Sequence, residues 1–253
     1  MSGKVQMPPG YRLTEFEHLD STNEEAKRQA LLGADEGLVV WARHQTAGRG
    51  RRGRTWISPL GGVYFSLLLR PGCPADQAAQ LSFLSAVAVG EGVLPYLPNP
   101  QELAFKWPND LLIADKKVCG ILLESSGTAK GVSWLVVGIG INVATHPDDT
   151  DYPATSLHGA GATNAQPEAL LGAIVRSFDT WLKRWRNEGF EPVLKAWLAH
   201  AKGLGQEIEV RLADRSLRGV FTALNPDGAL ILDVSGEGER IIPAGDVYFP
   251  HAD

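Results

Sequence analysis

The most apolar stretch of the chain, residues 132–143, sets the strongest limit on its fold. It carries no charged residue and is rich in valine and isoleucine, which favour extended structure. Gly138 and Gly140 lie inside it, and a glycine within a strand leaves room for another group to approach the backbone closely. We therefore expect a sheet with this strand at its centre and a ligand, or another core element, against the two glycines.

Shorter apolar runs predict the neighbouring elements. Strands are expected at residues 12–19, 38–43, 63–70, 103–107 and 117–124, with a hairpin tip at Asp115-Lys116 and a turn at Gly127. Helices are expected from the Ser21-Thr22-Asn23 segment to about residue 32, and at 75–89, 168–185 and about 192–200. Because a hydroxyl precedes Glu24 and Glu25 by three residues, a capping box is predicted at the first helix.

Beyond Gly203 the pattern changes to short strands at residues 206–212, 216–224, 229–233, 239–242 and 247–249. Five strands in so short a stretch predict a small closed barrel. With 253 residues, 44% of them hydrophobic, the chain can bury one large core and a small second one. We place the domain boundary near residues 202–205, which divides the chain into residues 1–203 and 204–253.

A loop rich in arginine and glycine follows the second strand. Glycines permit close backbone approach, and guanidinium groups donate paired hydrogen bonds to phosphate or carboxylate. Its residues alone fit a small anionic ligand and a nucleic-acid or heparin surface about equally well. The loop comprises Gly48, Arg49, Gly50, Arg51, Arg52, Gly53 and Arg54.

Composition favours a small anionic ligand over nucleic acid as the partner of the loop. The formal net charge is −5, so the basic loop is a local feature of an acidic protein, which disfavours nucleic acid. Cys73 and Cys119 are far apart without metal-binding spacing, as expected in a reducing compartment. The N-terminus lacks an apolar signal core, and no window reaches about eighteen uncharged apolar residues. We predict a cytoplasmic protein that binds neither nucleic acid nor membrane.

Four motifs stand in a fixed order: Ser21-Thr22-Asn23, the loop of residues 48–56, the Lys106-Trp107-Pro108-Asn109-Asp110 motif with residues 117–124, and residues 138–142. Their order and spacing resemble biotin protein ligases, the biotin–[acetyl-CoA-carboxylase] ligase family. Over nearly the whole chain, the resemblance implies an α+β fold, with a mixed-sheet catalytic domain of the biotin/lipoate ligase type followed by a small C-terminal SH3-like barrel. About ten residues precede the first strand, too few for the DNA-binding domain of some members, so we expect a monofunctional ligase.

Such ligases join biotin to ATP, giving biotinyl-5′-AMP and pyrophosphate, and then transfer biotin to a lysine of a biotin carboxyl carrier protein. The resemblance thus implies ATP and biotin as substrates, with Mg²⁺, and it allows a homodimer. Because a carboxylate and a triphosphate repel each other, positioned cations should supply much of the catalysis. The main alternative is a lipoate or octanoate ligase or transferase of the related fold; a nucleic-acid-binding module is the alternative from another class.

The resemblance also assigns roles to individual residues. Catalytic roles fall to Lys117, Arg51 and Arg49. Biotin contacts fall to Ser21, Thr22, Asn23, Gln45, Arg49, Gly50, Arg51, Lys117, Gly138 and Gly140. Nucleotide contacts fall to Arg51, Arg54, Trp56, Lys106, Asn109 and Asn142, and a Mg²⁺ contact falls to Asp110. Residues 144–166 should close over adenine, although no adenine platform is evident among them, and Cys119 is expected to be a small packed residue.

Overall fold

The computed structural model describes residues 5–128 and 131–249. Its larger sheet has seven strands in the order β1-β2-β3-β7-β6-β5-β4. β1 and β2 are parallel and the other neighbours are antiparallel, so the sheet is mixed as predicted. The most apolar strand, β7, occupies the expected central place. The strands are β1 Arg12–Leu19, β2 Leu38–Gln45, β3 Val63–Leu69, β4 Leu103–Lys106, β5 Asp110–Ile113, β6 Lys116–Thr128 and β7 Gly131–Ile141.

Helices cover both faces of this sheet. Because successive strand residues point to opposite faces, Leu68 packs in the small cluster beneath α1, whereas Leu67 and Leu69 face the main core with α3 and α4. α1 is therefore free to present its first turn to the end of the central strands. The helices are α1 Thr22–Leu31, α2 Ala75–Ala79, α3 Leu81–Val93, α4 Pro167–Glu188 and α5 Glu191–Leu198.

Three local predictions are wrong. Residues 75–89 form two helices, because Gln80 donates its backbone N–H to Gln77, three residues earlier. β6 continues through Gly127 to Thr128, since Thr128 stays paired with Gly131 of β7, so Gly127 is not the turn. The capping box is absent because Ser21 makes no side-chain cap, and Glu24 and Glu25 bind cations instead.

The α2–α3 segment also bears on the expectation about membranes. Among the residues that the structure describes, the segment Ala75–Tyr96 is long and apolar enough by composition to cross a membrane, although Asp76 and Glu91 interrupt its uncharged run. Most of it is buried inside the fold, where it packs against α4 and the sheet. Its apolar character is therefore explained by its place as a core helix.

The C-terminal region forms an antiparallel five-stranded sheet in the order β11-β10-β9-β8-β12. Alternation directs Ile208 and Val210 into its core and leaves Glu207 exposed. Among the described residues no ladder joins β11 to β12, so the predicted small barrel is open between these two strands and not closed. The domain boundary stays a prediction. The strands are β8 Glu207–Arg211, β9 Ser216–Leu224, β10 Leu230–Val234, β11 Gly238–Ile242 and β12 Asp246–Tyr248.

The five-stranded unit docks on the Lys106–Asp110 motif. Nε1 of the buried Trp107 donates to the carbonyl oxygen of Gly228 at 3.0 Å, and Nζ of Lys106 donates to that of Val247 at 3.2 Å. Gly228 has a φ of 85° and lies so close to Phe83 that an added Cβ would stand 2.7 Å from the ring. These contacts place β12 beside the arginine-rich loop.

Candidate active site

A cavity of about 530 Å³ opens where the ends of the central strands, the first turn of α1, the arginine-rich loop and β12 meet. This volume is typical of a site for a small molecule. Every predicted site residue lines it, although their roles stay predictions. They are Ser21, Thr22, Asn23, Gln45, Arg49, Gly50, Arg51, Arg54, Trp56, Lys106, Asn109, Asp110, Lys117, Gly138, Gly140 and Asn142.

Paired amide and hydroxyl groups form one end of the cavity. Oε1 of Gln45 accepts from the backbone N–H of Thr22 at 2.8 Å, and its Nε2 donates to Ser58 at 2.8 Å. Oδ1 of Asn23 accepts from the Ser66 hydroxyl at 2.6 Å. Because each amide has a partner that sets its orientation, this end offers donors and acceptors in fixed directions.

Ser66 and Glu124 orient Asn23, and neither was predicted as a site residue. Nδ2 of Asn23 donates to Oε2 of Glu124 at 2.8 Å, while Lys27 binds the other oxygen of that carboxylate at 3.1 Å. Ser66 is the one polar side chain in the buried strand β3 apart from Tyr64, which is a signal that could have found it. Glu124 ends the 117–124 motif and had no assigned role.

A buried carboxylate joins two lysines at the other end. Asp110 lies 2.6 Å from Nζ of Lys117 and 3.2 Å from Nζ of Lys106. Burial opposes its ionisation, but Lys117 and Lys106 outweigh burial and keep the pKa of Asp110 below its usual value. Burial also lowers the pKa of Lys106. The cavity thus holds two oriented cationic groups.

This arrangement does not fit the predicted Mg²⁺ contact of Asp110. A cation at that carboxylate would stand beside two ammonium groups that already bind it. Across residues 5–128 and 131–249, no group of three or more His, Cys, Asp or Glu side chains could hold a metal ion. Asp110 is instead the counter-ion of Lys106 and Lys117.

The arginine-rich loop folds back on itself as a short hairpin. The backbone N–H of Gly50 donates to the carbonyl oxygen of Arg54 at 2.7 Å, and the backbone N–H of Trp56 donates to the carbonyl oxygen of Gly48 at 2.9 Å. All four arginines of the loop pair with carboxylates elsewhere in the chain. Arg49 pairs with Glu24 and Glu124, whereas Arg51, Arg52 and Arg54 pair with Asp246 of β12.

Comparison with known proteins places the chain in a family. Residues 15–142 match the biotin/lipoate A/B protein ligase family, and residues 203–249 match the biotin protein ligase C-terminal domain. Over 235 residues the chain is 41% identical to a biotin–[acetyl-CoA-carboxylase] ligase of Paracoccus denitrificans, covering 91% of this chain and 97% of that one. The chain belongs to the biotin/lipoate A/B protein ligase family.

Two further matches span most of this ligase. A bifunctional ligase/repressor of Bacillus subtilis is 35% identical, covering 94% of this chain and 74% of its own length. The solved biotin protein ligase of Aquifex aeolicus in complex with biotin and ATP is 29% identical, with a TM-score of 0.79, covering 94% of this chain and 97% of that one. The predicted family and fold class are thereby confirmed.

Side chains of the ligase stand against both strand glycines. A Cβ at Gly138 would overlap Oδ1 of Asn23, and a Cβ at Gly140 would stand 2.5 Å from Nε1 of Trp56. These side chains are the other core element that the sequence allowed against the glycines, and the predicted biotin contact of Gly138 and Gly140 stays a prediction. Nε1 of Trp56 is buried and has no hydrogen-bond partner within the described part of the chain.

The segment after β7 supplies the aromatic group that sequence reasoning missed. Tyr152, the one aromatic residue between positions 144 and 166, lines the cavity, and its ring centre lies 4.4 Å from Nζ of Lys106. Burial raises its pKa to about 12. The backbone N–H of Lys117 donates to the carbonyl oxygen of Pro153 at 2.7 Å, and the backbone N–H of Thr155 donates to that of Lys117 at 2.9 Å. These bonds attach the segment to β6.

Asn142 and Cys119 have structural roles beside the cavity. Nδ2 of Asn142, a predicted nucleotide contact, donates to the carbonyl of Thr155 at 3.0 Å and so holds the segment in place. Cys119 is fully buried, and burial raises the pKa of its thiol, which keeps it protonated. This agrees with the expectation of a small packed residue.

Proposed function

We propose that this ligase forms biotinyl-5′-AMP from biotin and ATP and transfers the biotinyl group to a lysine of a biotin carboxyl carrier protein. In the first step a carboxylate oxygen of biotin bonds to the α-phosphorus and pyrophosphate leaves. In the second step the lysine nitrogen bonds to the acyl carbon, loses a proton, and AMP leaves. The observation that carries the proposal is one cavity with a neutral polar end and a cationic end.

The polar end suits the ureido ring of biotin. That ring has two N–H donors and a carbonyl acceptor, all of which need partners when buried. Ser21, Thr22, Asn23 and Gln45 offer complementary hydroxyl and amide groups there, and all but Gln45 are buried. We assign the ring to this end, which directs the biotin carboxylate towards Lys117.

The cationic end suits the two anions that must react. Lys117, Arg49 and Arg51 line the space between the polar end and β12, with Gly50 supplying a backbone approach. Fixed cations there reduce the repulsion between the carboxylate and the phosphate and stabilise charge that develops during transfer. We therefore keep these residues as the catalytic set.

The nucleotide would lie between the loop and the segment after β7. Trp56 and Tyr152 line the cavity and offer aromatic faces to adenine, while Arg54, Lys106 and Asn109 offer donors to the phosphates. Mg²⁺ bound together with ATP would neutralise part of the phosphate charge, and we do not assign Asp110 to it, since that carboxylate is already paired with Lys117. With Cys73 and Cys119 both free thiols, we place the enzyme in the cytoplasm.

Incubation of the full chain with ATP, labelled biotin and a biotin carboxyl carrier domain tests the proposal. Label should appear on the carrier lysine, and biotinyl-5′-AMP and pyrophosphate should form without the carrier. A parallel reaction with lipoate in place of biotin tests the related alternative. Lipoyl transfer without biotinyl transfer would reject the proposal.

A further inference from the structure

One carboxylate of the C-terminal barrel faces three arginines of the loop. Oδ1 of Asp246 lies 3.4 Å from Nη1 of Arg51. Its Oδ2 lies 3.3 Å from Nη1 of Arg52 and 3.1 Å from Nη2 of Arg54. Its side chain is only 14% exposed. Three guanidinium groups therefore share a single negative charge, and the cluster keeps an excess of positive charge that another anion could neutralise.

The barrel, rather than the loop, determines where this carboxylate lies. Along β12 the side chains alternate, so Val247 is buried in the barrel core while Asp246 and Tyr248 line the cavity. The carbonyl oxygen of Gly245, directly before β12, also accepts from Arg51 at 3.3 Å. Because β12 is paired with β8, the backbone of Asp246 is held by the barrel and not by the loop.

The loop adopts an unfavourable backbone conformation to reach Asp246. Arg52 has φ 54° and ψ 35°, in the left-handed region that non-glycine residues rarely adopt. Such a conformation persists only when surrounding contacts favour it. The ion pairs of Arg51, Arg52 and Arg54 with Asp246 are the contacts that do so here.

We propose that Asp246 is a positioning residue that serves as the enzyme's own counter-ion for the arginine loop and competes with the polyphosphate of ATP for its guanidinium groups. This inference rests on the proposed role of the loop in nucleotide binding. A carboxylate and a phosphate accept hydrogen bonds from the same guanidinium edges and repel each other. The C-terminal barrel thereby sets how tightly a polyphosphate binds.

Binding of inorganic pyrophosphate to the full chain without biotin, measured by isothermal titration calorimetry, tests the proposal. Asp246→Asn and Asp246→Ala should each bind pyrophosphate about fivefold more tightly than the wild type at low salt. The gain should shrink at high salt, where charge interactions are screened. Asp246→Glu, which keeps the carboxylate, should stay close to the wild type. The matched control Asp233→Asn removes an exposed charge of the same barrel and should change nothing.

A second measurement follows the loop itself. Without ligand, trypsin should cut after Arg51, Arg52 or Arg54 faster in Asp246→Asn than in the wild type, because the loop has lost its partner. Equal or weaker pyrophosphate binding by a folded Asp246→Asn or Asp246→Ala variant would overturn the inference. Failure of the wild type to make biotinyl-5′-AMP would instead reject the proposed function, and it is measured separately on the same preparation.

Discussion

Nζ of Lys117 lies 2.6 Å from Oδ1 of Asp110, on the neighbouring strand of the sheet. Asp110 is almost fully buried, and Lys106 binds its other oxygen at 3.2 Å. A buried pair of this kind adds little net stability compared with an apolar pair, but loss of one partner leaves an uncompensated charge. Its value here is that it directs two ammonium groups into the cavity.

Replacing Lys117 by alanine should slow biotinyl-5′-AMP formation by about two to three orders of magnitude. The change removes the cation that we place between the biotin carboxylate and the α-phosphate. Single-turnover release of labelled pyrophosphate measures the effect. Lys116→Ala, which removes the exposed neighbouring charge, is the control and should keep the wild-type rate. Wild-type pyrophosphate release by Lys117→Ala would refute the assignment.

Replacing Asp110 by asparagine should destabilise the protein in a manner that depends on pH. The pKa of Asp110 is below its usual value of 3.8, despite burial, because of Lys117 and Lys106. A carboxyl with a lower pKa in the folded state adds stability above its unfolded pKa and loses it as the pH falls through the folded pKa. At neutral pH the variant should be less stable by about 3 kcal/mol or more.

Urea unfolding between neutral pH and about pH 2.5 checks this prediction. The difference in free energy of unfolding between the wild type and Asp110→Asn should shrink as the pH falls below about 3.8, because the carboxyl of the unfolded chain is protonated there before that of the folded protein. The exposed Asp233→Asn change should have no comparable effect. A difference that stays constant over the range would contradict the ion-paired state of Asp110.

Replacing Arg51 by glycine should make the enzyme release biotinyl-5′-AMP faster. Nη1 of Arg51 binds Oδ1 of Asn109 at 3.1 Å, which connects the loop to the opposite wall of the cavity. Arg52→Gly is the control. It removes the same charge from a side chain that pairs with Asp246 and not with Asn109, and the left-handed backbone of Arg52 suits glycine. Dissociation of labelled intermediate should therefore accelerate more in Arg51→Gly; equal rates would count against this role.

Replacing Gly138 by alanine should weaken biotin binding strongly. The new Cβ would overlap Oδ1 of Asn23 and displace the amide from Ser66 and Glu124. Gly172→Ala is a suitable control, because there the nearest atom is the end of the flexible Arg176 side chain, at 3.2 Å. Calorimetric titration with biotin measures both variants. Unchanged affinity in Gly138→Ala would show that Asn23 is not needed at that position.

Much of the fold follows from local sequence patterns. Residues 12–19 and 216–224 form strands with the predicted bounds, because period-two alternation and β-branched residues are properties of a few neighbouring residues. The missing capping box, in contrast, involves a group that is distant in the sequence, Arg49, as well as Lys27 in the next turn. Glu24 could have capped α1, but Lys27 and Arg49 supply charged partners for it once the chain has folded.

The sequence by itself determined the order of the motifs and the central place of β7, since both depend on residue type and local spacing, and its resemblance to a known family supplied the predicted site residues. Only the tertiary structure decided which groups meet inside the cavity. Asp246 reaches Arg51 of the loop, 195 residues away along the chain, because the barrel docks through Trp107 and Lys106. No local periodicity encodes such a contact, because it arises from how two folded units pack against each other.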